Sequence, residues 1–399
     1  MVRTSLLLCC ISSELLAQGS RNPVNLSRGG FVTTLGTDTM QVESFTRSAR
    51  QIDGVVVTRT PATRVLRYQM TLGIDGRAQR IEIRLTDGDG KDVANSVTQA
   101  RFEYANDSVV RIATRNSVAD TTRIAGHPYI SPTLPYLGQS YLNYEFAINE
   151  VRRAAPGSRE GTIQLITIHP SLKQLLRSRV WFPAPDSAEL DYFGVARSGY
   201  HFDANGQLDR ADWTGTTYRY RVARVANIDV EAIARQWAAA DARGAAVGAL
   251  SPRDTSRASV GSATVLIDYS RPSRRGRDLW GDVVKWGSVW RLGADFATHI
   301  VLSDTMRVGD AVVPAGTYTL WMLPIQDGTS QLIINKQIRI FGTGYNPAND
   351  LVRVPLRRTE HAQSVEKLTL SADDGAIRIR WGTTEWSVPI VRTSQDGSN

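Results

Sequence analysis

Hydrophobic and polar residues alternate with a period of two along most of this chain, the mark of strands with one buried and one wet face. Tyr68, Met70, Leu72 and Ile74 are separated by polar or small residues, and Ile81, Ile83 and Leu85 by charged ones. From Phe31 onward the pattern predicts an antiparallel meander, with further strands near 100–105, 108–114, 162–168, 178–182, 189–193, 198–203 and 216–225. Asp53-Gly54, Asp75-Gly76, Asp87-Gly88 and Asn205-Gly206 read as its hairpin turns, because glycine supplies the positive φ that tight connections need.

Two segments switch to a helical period. After the proline-pinned loop from His127 to Pro135, Ser140 is placed to cap a helix with Tyr141, Leu142, Glu145, Ile148 and Val151 at helical spacing. A second helix runs from Asn227 to Gly244, capped by Asp229 and favoured at its positive end by Glu231. Its narrow stripe of Val230, Ile233, Trp237 and Ala240 predicts packing against a neighbouring sheet. The polar run 251–259 reads as a linker. Alternation then resumes over 265–268, 298–302, 316–324, 331–336, 352–356, 367–371, 377–381 and 386–390, and predicts a two-sheet sandwich. Pro355 and Pro389 mark edges or bulges in it.

The expected class is therefore all-β. A β-meander domain covers 31–226, in one reading an open half-barrel holding one helix. A connector covers 227–259 and a β-sandwich 260–391, with a flexible lead-in at 18–30 and a tail at 392–399. A length of 399 residues suits two domains with separate cores, and 42% hydrophobic with 22% charged residues excludes disorder. The net charge of +8 is compatible with anionic partners. Basic and acidic residues interleave along most of the chain, however, so bulk charge alone predicts only solubility.

The first residues read as a signal peptide over 1–17: Arg3, the apolar run from Leu6 to Ile11, and a cleavage point at Ala17-Gln18. This predicts an exported protein, periplasmic or extracellular. Both cysteines, Cys9 and Cys10, lie in that segment, so disulfides, thiol nucleophiles and thiolate metal ligands are not expected in the mature body. No later stretch is long and apolar enough to predict a transmembrane helix.

One corner concentrates candidate chemistry. Between Asp268 and His299 the chain carries Arg271, Arg274, Arg275, Arg277, Lys285 and Arg291 among Trp280, Trp286 and Trp290. Guanidinium forks suit carboxylate, phosphate or sulfate, and indole faces suit sugar rings, aromatic rings or cations. The candidate ligand-binding residues are Arg271, Arg277, Trp280, Trp290, Arg291, Asp295, His299, Lys336 and Asp350. The same residues also suit a structural clasp, with the indoles in the core and the arginines pinned to Asp268, Asp295 or Asp350. No nucleophile elbow, phosphate-cradling loop, dinucleotide fingerprint or zincin helix is present, so no catalytic residue and no cofactor are assigned. His127, His169 and His201 lack metal-ligand spacing, and no metal site is assigned. His299, between Thr298 and Ile300, is expected to be a sheet histidine.

The order Tyr269-Ser-Arg-Pro272, Gly276-Arg277, Trp280-Gly281, Val289-Trp-Arg-Leu-Gly-Ala294, Ala297-Thr298, Pro314-Ala-Gly-Thr-Tyr318, Ile334-Asn-Lys336 and Trp381 closely resembles the bacterial family called domain of unknown function 2911. The resemblance covers about 260–391 and implies an exported β domain without implying an activity. Asp295 departs from it, standing where the family pattern has asparagine. The N-terminal half is similar only in element order to the open half-barrels of periplasmic lipid and lipoprotein carriers. The leading expectation is a non-catalytic binding protein for an anionic, glycan-like or protein ligand at the 268–298 corner. A hydrolase of envelope or polymeric substrate in the same cleft, and a lipid or lipoprotein carrier using the N-terminal sheet, remain open. Nucleic acid is not expected as a partner of an exported protein.

Overall fold

A computed structural model describes residues 27–105, 107–125, 129–131, 140–167, 176–192, 196–216 and 218–393. The residues read as a signal peptide, most of the expected lead-in, His127, His169 and the end of the tail lie outside the described residues.

The first described strand lies in the middle of the largest sheet. β1 (Ser27–Leu35), β2 (Asp38–Arg47), β3 (Gln51–Thr58) and β4 (Arg64–Leu72) are sequential antiparallel neighbours. The series continues outward through β5 (Ala78–Asp87), β6 (Val97–Tyr104), β7 (Ser108–Arg115) and β8 (Val118–Ala125). β9 (Tyr129–Ser131) and α1 (Tyr141–Ala154) then lead to the opposite edge, where β9 pairs in parallel with β10 (Glu160–Thr167). From there β11 (Leu176–Trp181), β12 (Ser187–Tyr192), β13 (Ala196–Phe202), β14 (Leu208–Asp212) and β15 (Arg221–Val225) return strand by strand. β15 pairs with β1, which completes one 15-stranded sheet.

Alternation in the sequence decides which face is dry. In β4, Tyr68, Met70 and Leu72 are buried while Arg67, Gln69 and Thr71 are exposed. α1 packs on the dry face, with Ser140 as N-cap accepting the Asn143 N–H at 3.2 Å. Its Tyr144 meets Tyr200 and Trp213 at ring separations of 5.4 and 5.6 Å, and its Tyr141 meets Trp213 at 6.3 Å. Aromatic side chains thus fill the space between the helix and the sheet.

A buried carboxylate anchors this helix. Glu43 accepts the Ser140 hydroxyl at 2.7 Å, the Tyr68 hydroxyl at 2.8 Å and the Tyr141 N–H at 2.8 Å. The acid therefore sits at the positive end of α1, where a negative charge is favoured. Tyr68 reaches it by crossing Gly54, whose Cβ would lie 2.1 Å from the Tyr68 ring. This corrects the reading of Asp53-Gly54 as a turn: it lies inside β3, where the missing side chain makes room for a neighbouring ring. Gly76 and Gly206 do supply positive φ in hairpin turns.

α2 (Val230–Ala242) lies on the other face, with Asp229 as N-cap, and packs Val230, Ala234 and Trp237 against Val42, Val57 and Val65. Residues read as linker form β16 (Arg253–Val260), paired with β17 (Ala263–Ser270). β16 is an edge strand with no buried residue before Val260, so it lacks the hydrophobic alternation that announces the others. β18 (Thr298–Leu302), β19 (Met306–Val308), β20 (Ala311–Val313), β21 (Gly316–Leu323), β22 (Gln331–Asn335) and β23 (Asp350–Pro355) follow. β24 (Arg357–Asp373) and β25 (Ala376–Arg392) are the two longest. The sheets run β16-β17-β18-β21-β22-β23 and β20-β19-β25-β24, and enclose a core of their own. Residues 377–381 and 386–390, expected as two strands, belong to β25. Gly382, at φ 65°, marks an irregularity in its pairing with β24 and not an end. Pro355 ends β23 at a sheet edge, as expected.

Candidate functional site

The long connection between β17 and β18 carries the arginine- and tryptophan-rich corner. Its indoles pack against one another. Trp290 stacks on Trp381 at 5.9 Å and 12° and meets Trp280 edge-on at 6.0 Å. Trp280 in turn meets Trp386 at 5.6 Å. Trp381 and Trp386 are fully buried, and Trp280, Trp286 and Trp290 are half-buried against the same core. This accounts structurally for three of the tryptophans singled out by sequence. Trp290 also lines the cleft described below.

Several of the expected ligand residues are occupied elsewhere. Arg271 pairs with Asp254 at 2.8 Å and donates to the Leu368 carbonyl at 3.1 Å and the Thr369 hydroxyl at 3.2 Å. The Asp350 carboxylate accepts from Tyr345, Asn335 and Arg353 at 2.7 to 3.0 Å. Lys336 is exposed on the loop after β22. His299 is in β18, where its Nε2 accepts the Arg339 N–H at 3.0 Å and burial lowers its pKa. None of these four lines the cleft that collects Arg277, Trp290 and Arg291.

That cleft has a volume of about 280 Å³ and lies between the two domains. Four guanidinium groups line it, from Arg219, Arg275, Arg277 and Arg291, and its described lining contains no carboxylate and no histidine. The turn between β1 and β2 forms part of the seam. Thr37 donates its N–H to the Arg275 carbonyl at 3.0 Å, and Asp38 pairs with the Arg275 guanidinium. Gly36, at φ 62°, is required there, because a Cβ would lie 1.9 Å from the Arg275 oxygen. Arg277 is held by carbonyl groups, donating to Arg274 at 2.9 Å and Ser273 at 2.6 Å. Arg219 reaches the carbonyls of Thr214 at 3.4 Å and Asp282 at 3.5 Å. The Arg291 stem passes over Gly342, whose Cβ would lie 1.9 Å from Cδ, and its guanidinium lies 5.9 Å from the centre of the Phe341 ring. Among the described residues, Arg219, Arg277 and Arg291 have no ion-pair partner.

The electrostatics follow from that arrangement. Burial, with Arg219 and Arg275 close by, pushes Arg277 down to about 10. Burial lowers Arg291 as well, opposed by the nearby Asp295, and lowers Arg219, opposed by Asp282. Desolvation and like charge both act against these cations. The backbone is strained in the same region. Apart from glycine, Asn and Asp, positive φ among the described residues occurs at Ser117 in a hairpin turn and at Arg219 (53°), Arg275 (52°), Leu292 (51°) and Arg339 (55°). Arg219 and Arg275 line the cleft, and Leu292 and Arg339 lie in the loops that supply Gly293 and Gly342 to it. Asp295, at φ 59°, is exposed, and its carbonyl accepts the Gly342 N–H at 2.7 Å, tying those loops together.

Sequence reasoning found Arg277, Trp290 and Arg291, and included Arg275 in the corner without naming it as a ligand residue. It missed Arg219, which lies in the turn between β14 and β15, in the other domain. No periodicity or motif links that position to 275–291; only the tertiary fold does. Residues 251–390 match a family described as Protein of unknown function (DUF2911), which spans β16 through most of β25 and includes three of the four cleft arginines. Arg219 and the Gly36 turn lie outside the matched residues. Comparison with curated proteins finds no match to the chain.

Proposed function

We propose that this protein is a non-catalytic binding protein for a small anion held in the cleft between its two domains, and that it works after export. The observation carrying this reading is a lining with four guanidinium groups and no carboxylate, on backbone held in an unfavourable conformation. Each left-handed, non-glycine position costs on the order of 1–3 kcal/mol and persists only where surrounding structure enforces it. Arg219, Arg277 and Arg291, gathered without ion-pair partners among the described residues, are likewise unfavourable until an anion arrives. Binding is favoured over hydrolysis because the described lining offers no carboxylate or histidine to move a proton. An anion is favoured over a stacked sugar because Trp290 and Trp381 stack on each other.

Calorimetric titration of the full chain with inorganic phosphate, sulfate and citrate tests this. At least one is expected to bind saturably. Arg277→Met and Arg291→Met are each expected to weaken it by roughly ten- to a hundredfold, the loss of one charge-assisted contact of ~1.5–3 kcal/mol. Absence of saturable binding for every anion, or variants that bind like the parent, would refute the assignment.

A further inference from the structure

The cleft is bordered by an exposed apolar pair that packing of the domain does not explain. Phe296 is 53% exposed and Phe341 42%, and their rings meet edge-to-face at 5.6 Å. Ile338, in the same loop as Phe341, is 47% exposed. Isolated exposed apolar side chains are ordinary on a protein surface, but adjacent large ones usually mark a contact site. The pair belongs to the two loops that also supply Gly293, Ala294, Gly342 and Thr343 to the cleft. The paired bridge between Phe296 and Phe341, and the Gly342 N–H to Asp295 carbonyl bond, hold these loops in register. Arg291 joins the two features: its guanidinium lines the cleft and lies 5.9 Å from the centre of the Phe341 ring.

From this juxtaposition we infer that the ligand is an organic anion with an apolar body: its charged group enters among Arg219, Arg277 and Arg291, and its alkyl or aryl part lies across Phe296 and Phe341. This rests on the anion-binding reading above. The cleft volume of about 280 Å³ suits a head group and a few further atoms, so a longer body must extend to the rim. An apolar partner there would cover rings that otherwise face water.

The test titrates the full chain with inorganic phosphate and then with ethyl, butyl, hexyl and phenyl phosphate, below any micelle concentration. Affinity is expected to rise with alkyl length, up to roughly fourfold for each methylene laid on the rings. Phe296→Ser, at an exposed position away from Arg291, is expected to reduce that rise sharply and leave inorganic phosphate binding within twofold; Phe341→Ser, which also removes the ring beside Arg291, is expected to abolish the rise as well, its effect on inorganic phosphate being read separately. Either an alkyl or an aryl preference supports the inference and identifies the body. Phosphate binding with no gain along the series, or a gain that survives both substitutions, overturns this inference and leaves the anion site standing. Failure of every phosphate to bind overturns it and counts against the anion site too.

Discussion

Arg291→Met separates a ligand site from a structural clasp, because the two give opposite signs for stability without ligand. Methionine preserves the unbranched stem that crosses Gly342 and removes the charge. In the parent, the guanidinium is largely desolvated and pairs with no carboxylate among the described residues. The effective penalty for a buried, unpaired ion is several kcal/mol, but this group opens onto a cleft, and solvent screening reduces that to ~1–2 kcal/mol. Against this, the contact with Phe341 contributes ~0.5–1 kcal/mol. The variant is therefore expected to be more stable than the parent by up to ~1.5 kcal/mol when no ligand is present. With ~3–4 °C per kcal/mol for a domain of this size, the melting temperature rises by a few degrees at most.

Differential scanning calorimetry in a buffer without multivalent anions measures the first sign, and the same scan with a binding anion measures the second. A ligand at a hundred times its dissociation constant stabilises the parent by ~2.7 kcal/mol and the variant by much less. The two melting curves should exchange order as anion is added. A variant that melts more than ~3 °C below the parent without ligand would show that Arg291 holds the loop together, and the reasoning would fail.

Two further substitutions test other parts of the structure. Glu43 is pushed up to about 7 by burial, with the hydroxyls of Ser140 and Tyr68 and the N–H groups of Tyr141 and Leu142 opposing the shift. Its folded pKa lies above the ordinary value of 4.5, so the folded state binds the proton more tightly. The associated stability is complete below about 4.5, is lost as pH rises through about 7, and amounts to at most ~3 kcal/mol. Urea unfolding of the N-terminal domain between pH 5 and 8 should show that decline, and Glu43→Gln should flatten it; a parent profile that rises with pH instead would contradict it. Gly36→Ala places a Cβ against the Arg275 carbonyl on a left-handed backbone, a cost of at least ~1 kcal/mol. It should loosen the seam, separate the melting transitions of the two domains and weaken anion binding, whereas a single unchanged transition would show the turn to be incidental.

Those residues also show what was readable in advance. Ser140 and Asp229 announced the two helices because capping is local chemistry, decided within four residues of the cap. Tyr68, Met70 and Leu72 announced a strand because one face of β4 is dry. β16 was missed because an edge strand with little buried surface needs no hydrophobic alternation, and its pairing is satisfied through the backbone. Gly54 was misread because a glycine that admits a distant ring looks the same in sequence as a glycine that turns the chain.

The arginines follow the same division. Within the corner, sequence density was informative about the neighbourhood but not about which cations were free. Arg271 is consumed by Asp254, seventeen positions earlier and brought opposite by the pairing of β16 with β17. Arg277 and Arg291 remain without ion pairs because the chain folds their loops toward the other domain and not toward the acids nearby in sequence. That other domain supplies Arg219 and the Gly36 turn, and neither falls within the matched family residues. The matched segment alone therefore carries three of the four cleft cations and only one wall of the cleft. If anion binding requires both walls, the isolated segment 251–393 should bind far more weakly than the full chain even if it folds, and Arg219→Met in the full chain should reproduce most of that loss. Equal affinity in the isolated segment would place the whole site within the sandwich and make the seam irrelevant to it.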